Sequence, residues 1–101
     1  MSLPVVVTPT AERHLVTIDG WWRRHREAAA NLFIEEFAAS VNLIQSMPLA
    51  GRRYGAAPID GVRRVLLRSS RFHVYYQVRT SEIVILAVWS ALRGRDPDLR
   101  A

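Results

Sequence analysis

The chain has 101 residues, half hydrophobic and 23% charged, which is enough for one modest core and one domain spanning 1–101. Cysteine is absent, which excludes disulfides and thiolate metal sites. The net charge is +5 and unevenly spread: residues 1–51 hold 4 Arg and 5 acids, whereas residues 52–101 hold 10 Arg and 4 acids. Every basic residue is Arg. A compositional bias towards Arg explains the residue type but not its concentration in one half. That concentration favours an anionic partner, either nucleic acid or an acidic protein segment.

The opening MSLPVVVTPTAER lacks a basic leader, and Pro4 and Pro9 break its apolar run, so no signal peptide is expected. No stretch reaches the ~18 apolar residues of a membrane span, so the expected location is cytoplasmic, with no membrane partner. Leu3 to Val7 is a β-branched run and reads as a strand. Thr8 then offers a helix cap, and Pro9 suits the first helical position because its missing N–H is not needed there. Ala11, Leu15, Ile18 and Trp22 follow at helical spacing, with His25-Arg26 near the end. Gly20 weakens this helix. Trp21 falls at the edge of the stripe. Packing against the second helix is its expected role, and a partner hot spot the alternative.

A second helix is predicted from about Glu27 to Ser46. Its buried stripe is Ala29/Ala30, Phe33, Phe37, Val41 and Ile44, with Glu35, Glu36 and Asn42 off the stripe. The two helices have almost no linker and should form an αα-hairpin. A Gly/Pro-rich loop, residues 47–61, leads to three strands: Val62–Arg68, Phe72–Arg79 and Ile83–Ser90. Short turns join them. The order β-α-α-β-β-β implies an α+β fold: the N-terminal strand and αα-hairpin pack on one face of a mostly antiparallel sheet.

In the middle strand Phe72, Val74, Tyr76 and Val78 should face the helices, and His73, Tyr75 and Gln77 the other way. The last strand is apolar on both faces, with Ile83, Ile85, Ala87 and Trp89 on one and Val84, Leu86 and Val88 on the other. One of those sets is expected to lack a cover within the chain and to serve as a protein-binding strip. The alternative is that loop 47–61 folds across it.

The strings GVRRVLLRSSRFHVYYQV and EIVILAVWSALRGRDP resemble the C-terminal half of the RelE/ParE superfamily, toxins of bacterial type II toxin–antitoxin systems. TPTAERHLVTIDGWW is similar to that family's capped first helix. The resemblance covers nearly the whole chain. It implies a toxin neutralised by a cognate antitoxin, ParD-like, with a ribbon-helix-helix DNA-binding head and an acidic tail. Operator DNA is then reached only through the antitoxin. The superfamily splits into RelE-like members, which cut mRNA on the ribosome, and ParE-like members, which act on DNA gyrase without cutting anything themselves.

RNA cleavage of this kind needs a base, an acid and a cation for the charged phosphorane. The resemblance implies that ribonuclease members carry Lys or Glu near the sheet and His or Tyr after the last strand. Here that place holds Trp89-Ser90-Ala91-Leu92, and Lys is absent. Glu82 sits in a turn at the far end of the last strand. The remaining catalytic candidates are His73 and Tyr75 with Arg63, Arg64 and Arg71. No metal or other cofactor is expected, since His14 and His25 stand ~16 Å apart on one helix. The expected reading is therefore ParE-like, with no catalytic residue. Its candidate partner or target contacts are Arg63, Arg68, Arg71, Tyr75, Trp89, Arg93 and Arg95, and the strand end is a binding tip at which Asp96-Pro97 turns the chain. The purely local alternative for that tip is pairing of Arg93 or Arg95 with Asp96, Asp98 or a helix carboxylate. For the whole chain the alternatives are an mRNA endonuclease and a non-toxic co-repressor acting with the antitoxin.

Overall fold

The computed structural model describes residues 2–92 and 94–99. Chain order is β1 (Val5–Val7), α1 (Pro9–His25), a 3-10 turn (Glu27–Ala29), α2 (Leu32–Ser46), β2 (Arg52–Arg53), β3 (Val62–Leu67), β4 (Phe72–Val78) and β5 (Ile83–Ser90). The strands form one sheet ordered β1-β5-β4-β3-β2. Only the β1–β5 pairing is parallel. The α+β class and the helix pair on one face are as expected from sequence. No described helix is long and apolar enough to cross a membrane.

Helix α1 begins as its sequence dictates. Thr8 Oγ1 accepts from the Ala11 amide at 3.1 Å, and Pro9 follows the cap. A cap of this kind contributes about 1 kcal/mol. Arg23, Arg24 and His25 occupy the last turn, where cations oppose the helix dipole. Arg26 then leaves helical geometry, at φ −133° and ψ 56°. The second helix consequently starts at Leu32, not near Glu27. Reversing the chain between antiparallel helices takes residues out of helical conformation, and the Trp22 indole holds the reversal by donating to the Ala29 carbonyl at 2.8 Å. Trp21 also departs from its expected role: it is exposed and stacks on His25, with ring centroids 4.6 Å apart.

Ala11 and Trp22 of α1, with Phe33, Phe37 and Ile44 of α2, bury the inner sheet face: Leu67, Val74, Tyr76, Ile83, Ile85 and Val88. Burying each large apolar side chain stabilises by roughly 1.5–3 kcal/mol. Middle-strand alternation holds, with Val74 and Tyr76 inward and Tyr75 outward. Alternation in β5 does not. Tyr75 pairs with Ala87 while Tyr76 pairs with Ile85, so Leu86 is an extra residue, a β-bulge. Leu86 and Ala87 both face outward, Val88 turns inward, and Trp89 joins the outer face.

The outer apolar strip is not bare. Val84, Leu86 and Ala87 are buried, covered by Tyr54, Ala57 and Ile59 of the 47–61 loop and by Leu99 of the C-terminal tail. The expectation of an uncovered strip is thus corrected: the 47–61 loop, the stated alternative, supplies the missing layer together with Leu99. The same loop contributes β2, an unforeseen strand. Its two residues, Arg52 and Arg53, carry no β pattern, and it exists only through pairing with Arg64 and Arg63.

Because β1 ends at Val7, the outer edge of β5 lacks a strand beyond Ile85. Thr8 and His14 take over. The Thr8 amide donates to Ile85 O at 3.1 Å, and its hydroxyl to Leu86 O at 3.3 Å. The Val88 amide donates to His14 Nδ1 at 3.2 Å, which assigns the His14 proton to Nε2. These bonds blunt an edge that would otherwise template strand addition.

Candidate functional site

The outer face of β3 and β4 gathers most of the candidate residues. Alternation puts Arg64, Leu66, His73 and Tyr75 there, and Trp89 lies opposite His73 across the β4–β5 pair. Arg64 is held on aromatic rings. Its guanidinium sits 4.9 Å from the Tyr54 centroid and 5.9 Å from that of Tyr75, and its Nη1 donates to the Tyr75 hydroxyl at 3.3 Å. Such contacts pre-orient the cation without neutralising it.

His73 lies half-buried between two arginines. Burial first, then Arg64 and Arg71, pushes its pKa below the ordinary 6.5. Its ring meets Tyr75 edge-on at 5.9 Å. Tyr75 is only 2% exposed, capped by Tyr54 at 5.1 Å. The Tyr54 hydroxyl is itself buried, without a well-formed hydrogen bond. Burial and the nearby Asp96 carboxylate raise its pKa to about 12. The Tyr54 phenol is therefore not poised to give or take a proton near neutrality.

Arg71 stands in the β3–β4 turn at φ 66°, the left-handed region that non-glycine residues rarely adopt. Several bonds hold it there. Its amide donates to Leu67 O at 2.8 Å, and its carbonyl accepts from the Ala91 amide at 2.9 Å. Glu36 of α2 grips the same turn, accepting from the Ser69 and Ser70 amides, both at 2.9 Å, and from the Ser70 hydroxyl at 2.7 Å. Burial opposes ionisation of Glu36, but the Ser70 hydroxyl and the two amides outweigh it and lower its pKa.

The other candidates separate from this group. Arg63 points to the opposite face and donates through Nη1 to Gly51 O at 2.8 Å and Leu49 O at 3.4 Å, fastening the loop. Arg68 is exposed in the turn, beside a hollow lined by Glu36, Leu43 and Leu66. Trp89 Nε1 donates to Arg95 O at 3.0 Å, and the Arg95 guanidinium lies 5.7 Å from the indole centroid. The chain after β5 thus folds back over the sheet instead of projecting as a free tip, and Pro97 and Leu99 are buried. Arg93 lies outside the described residues. Ser90 acts locally, its Oγ accepting from the Leu92 amide at 3.1 Å.

Sequence reasoning missed Tyr54 and Glu36. Tyr54 is a lone aromatic in a Gly/Pro-rich loop, a signal that some buried surface awaits it. Glu36 looks solvated by helical periodicity, and nothing local predicts that two turn amides converge on it. No group of three or more His, Asp or Glu fit to hold a metal occurs among the described residues.

A family model described as the ParE toxin of the type II toxin–antitoxin system parDE matches residues 5–94. Among solved structures, a chain from "Chromosomal ParDE TA system from P. aeruginosa" superposes with a TM-score of 0.71 at 20% sequence identity. The match covers 88% of this chain and 96% of that one, and it carries the fold. No curated protein matches the chain.

Proposed function

The chain belongs to the ParE toxin family of type II toxin–antitoxin systems, and we propose that residues 1–101 act as one cytoplasmic toxin domain that inhibits DNA gyrase without cutting nucleic acid. One observation carries this reading. Among the described residues of the outer face the one imidazole is His73, and the charges acting on it are two arginines. Among the described residues no carboxylate is bonded to it to orient it as a base, and the neighbouring Tyr75 phenol is buried and bonded to Arg64. Transfer of a 2′-OH proton and protonation of a leaving oxygen need two groups that exchange protons.

Neutralisation falls to a ParD-like antitoxin, whose ribbon-helix-helix head reads operator DNA and whose acidic, amphipathic tail binds the toxin. With the outer strip covered, the surface suited to that tail moves to α2 and the open edge of β3. Leu43, Met47, Leu49 and Leu66 are exposed there, beside Arg52, Arg53 and Arg68. Exposed apolar side chains flanked by arginines complement a tail that alternates the two chemistries.

The test is a supercoiling assay with purified toxin and gyrase, run beside translating ribosomes. The expected result is inhibited supercoiling with linearised plasmid, reversed by a ParD-like antitoxin, while message stays intact. Cleavage of ribosome-bound mRNA that requires His73 would establish the endonuclease alternative instead. Operator repression with no effect on gyrase or ribosomes would establish the co-repressor.

A further inference from the structure

The β2–β3 ribbon sets arginine against arginine at both of its pairs, Arg52 with Arg64 and Arg53 with Arg63. Like charges directly opposite destabilise a strand pair. Arg64 leans away onto the Tyr54 and Tyr75 rings. Arg53 and Arg63 lie on the other face of the ribbon, the side shared with Tyr76, the partner of Arg63 in β4. The Tyr54 amide donates to Val62 O at 2.8 Å, so the next pair along is of the hydrogen-bonded kind. Arg53 and Arg63 then form the narrow, non-hydrogen-bonded kind, with Cα atoms about 4.5 Å apart and side chains at their closest. Among the described residues neither guanidinium has a salt-bridge partner.

The two side chains differ in freedom. Arg63 Nη1 donates to Gly51 O at 2.8 Å and Leu49 O at 3.4 Å, which orients the fork and leaves its charge uncancelled. Arg53 is exposed. Both line a hollow of about 510 Å³, a size usual for small-ligand sites. Leu49 and Val78 give the hollow apolar walls, and Gly55 and Gly61 also line it. A Cβ at either glycine would meet nothing within 4 Å, so the hollow is open on that side.

We propose that this hollow binds a phosphomonoester carried on a small apolar or aromatic body, with the phosphate between Arg53 and Arg63 and the body against Leu49 and Val78. A phosphomonoester bears nearly two negative charges near neutrality, one for each guanidinium. A carboxylate bears one, and so does each internal phosphodiester of a nucleic-acid strand. Guanidinium forks match phosphate oxygens two at a time. Bound dianion turns the repulsion across the narrow pair into two attractions. The site lies on the opposite side of the sheet from His73 and does not depend on gyrase being the target.

The experiment is an NMR titration of the isotope-labelled full chain with phenyl phosphate at constant ionic strength and about pH 7.5, where the ester is a dianion. The Gly55, Gly61 and Val62 amides should shift together, with a dissociation constant on the order of 1 mM. Benzoate and diphenyl phosphate, with one charge each, should bind about tenfold more weakly. Inorganic phosphate, with no body for the apolar walls, should also bind about tenfold more weakly. Arg53→Gln should weaken phenyl phosphate about tenfold, and Leu49→Ala about threefold, while Leu49→Ala leaves inorganic phosphate unchanged. Arg24→Ala, an equal loss of charge at the helix tip, should stay within about twofold. Arg63→Gln also releases the loop, so Arg53→Gln, at an exposed position, carries the test. Without ligand Arg53→Gln should melt no lower than the parent, because it ends the like-charge opposition. Unmoved amides, equal affinity for benzoate or inorganic phosphate, full affinity in Arg53→Gln, an equal loss in Arg24→Ala or a lower ligand-free melting point for Arg53→Gln would each overturn the proposal. Displacement of phenyl phosphate by oligothymidylate or poly-glutamate at equal charge would overturn it too, and would assign the arginines to a nucleic acid or an acidic protein. The supercoiling assay reports separately on the gyrase reading, so either can fail alone.

Discussion

Replacing Tyr76 by Phe tests what holds the covering loop in place. Tyr76 is fully buried, and its hydroxyl donates to Pro48 O and accepts from the Gly51 amide, both at 2.8 Å. Deleting one oxygen strands two backbone groups under the loop. A buried polar group left unsatisfied costs ~1–3 kcal/mol, and the surface loop relieves part of that by shifting. The expected loss is about 2–4 kcal/mol, or ~10–25 °C in Tm for a domain of this length. Urea unfolding followed by tryptophan fluorescence measures it as a lower midpoint at unchanged slope. Gly51 gives an independent check. A Cβ there would stand 2.6 Å from the Tyr76 oxygen and 2.7 Å from its ring, so Gly51→Ala should destabilise by ~1–3 kcal/mol. The two changes share one contact, so the double variant should lose less than the sum. A Tyr76→Phe protein within about 0.5 kcal/mol of the original, below the usual net worth of even one hydrogen bond, would refute the idea that this phenol anchors the loop carrying Tyr54.

Glu36→Gln should loosen the β3–β4 turn and flatten the acid limb of stability. The lowered Glu36 pKa contributes stability that is present above the ordinary 4.5 and lost as pH falls through the lowered value. His73 has the corresponding sign for a base held neutral: stability falls as pH drops below 6.5 towards the lowered folded value. Urea midpoints across that range should show the slope, and His73→Gln should remove it. Gly20→Ala should raise stability by about 0.5–1 kcal/mol, because its Cβ would meet only the mobile end of Arg24, at 3.3 Å. A lower midpoint for that variant would mean that the helix needs the gap.

Legibility followed locality. The Thr8-Pro9 cap, the Ala11-Leu15-Ile18-Trp22 stripe and the bounds of β5 were readable because capping and periodicity act within a few residues. The same holds for the outward-facing His73 and Tyr75. The grouping of His73 with Arg64 and Arg71 was half legible. All three were candidates, but Arg63 was counted with them although it faces the other way, to Gly51. Tyr54 and Glu36 left no local trace of their partners.

By itself, then, the sequence determined the two helices, the strands other than β2, their order, most of the inner core and the excess of arginine in the second half. Tertiary structure alone decided that Leu86 bulges, that the 47–61 loop and Leu99 close the outer face, and that Arg64 and Arg71 act on one imidazole. The physical reason is that periodicity is a property of neighbours along the chain. Which face a bulge re-aims, and which distant segment buries it, depends on contacts that exist only once the strands have paired.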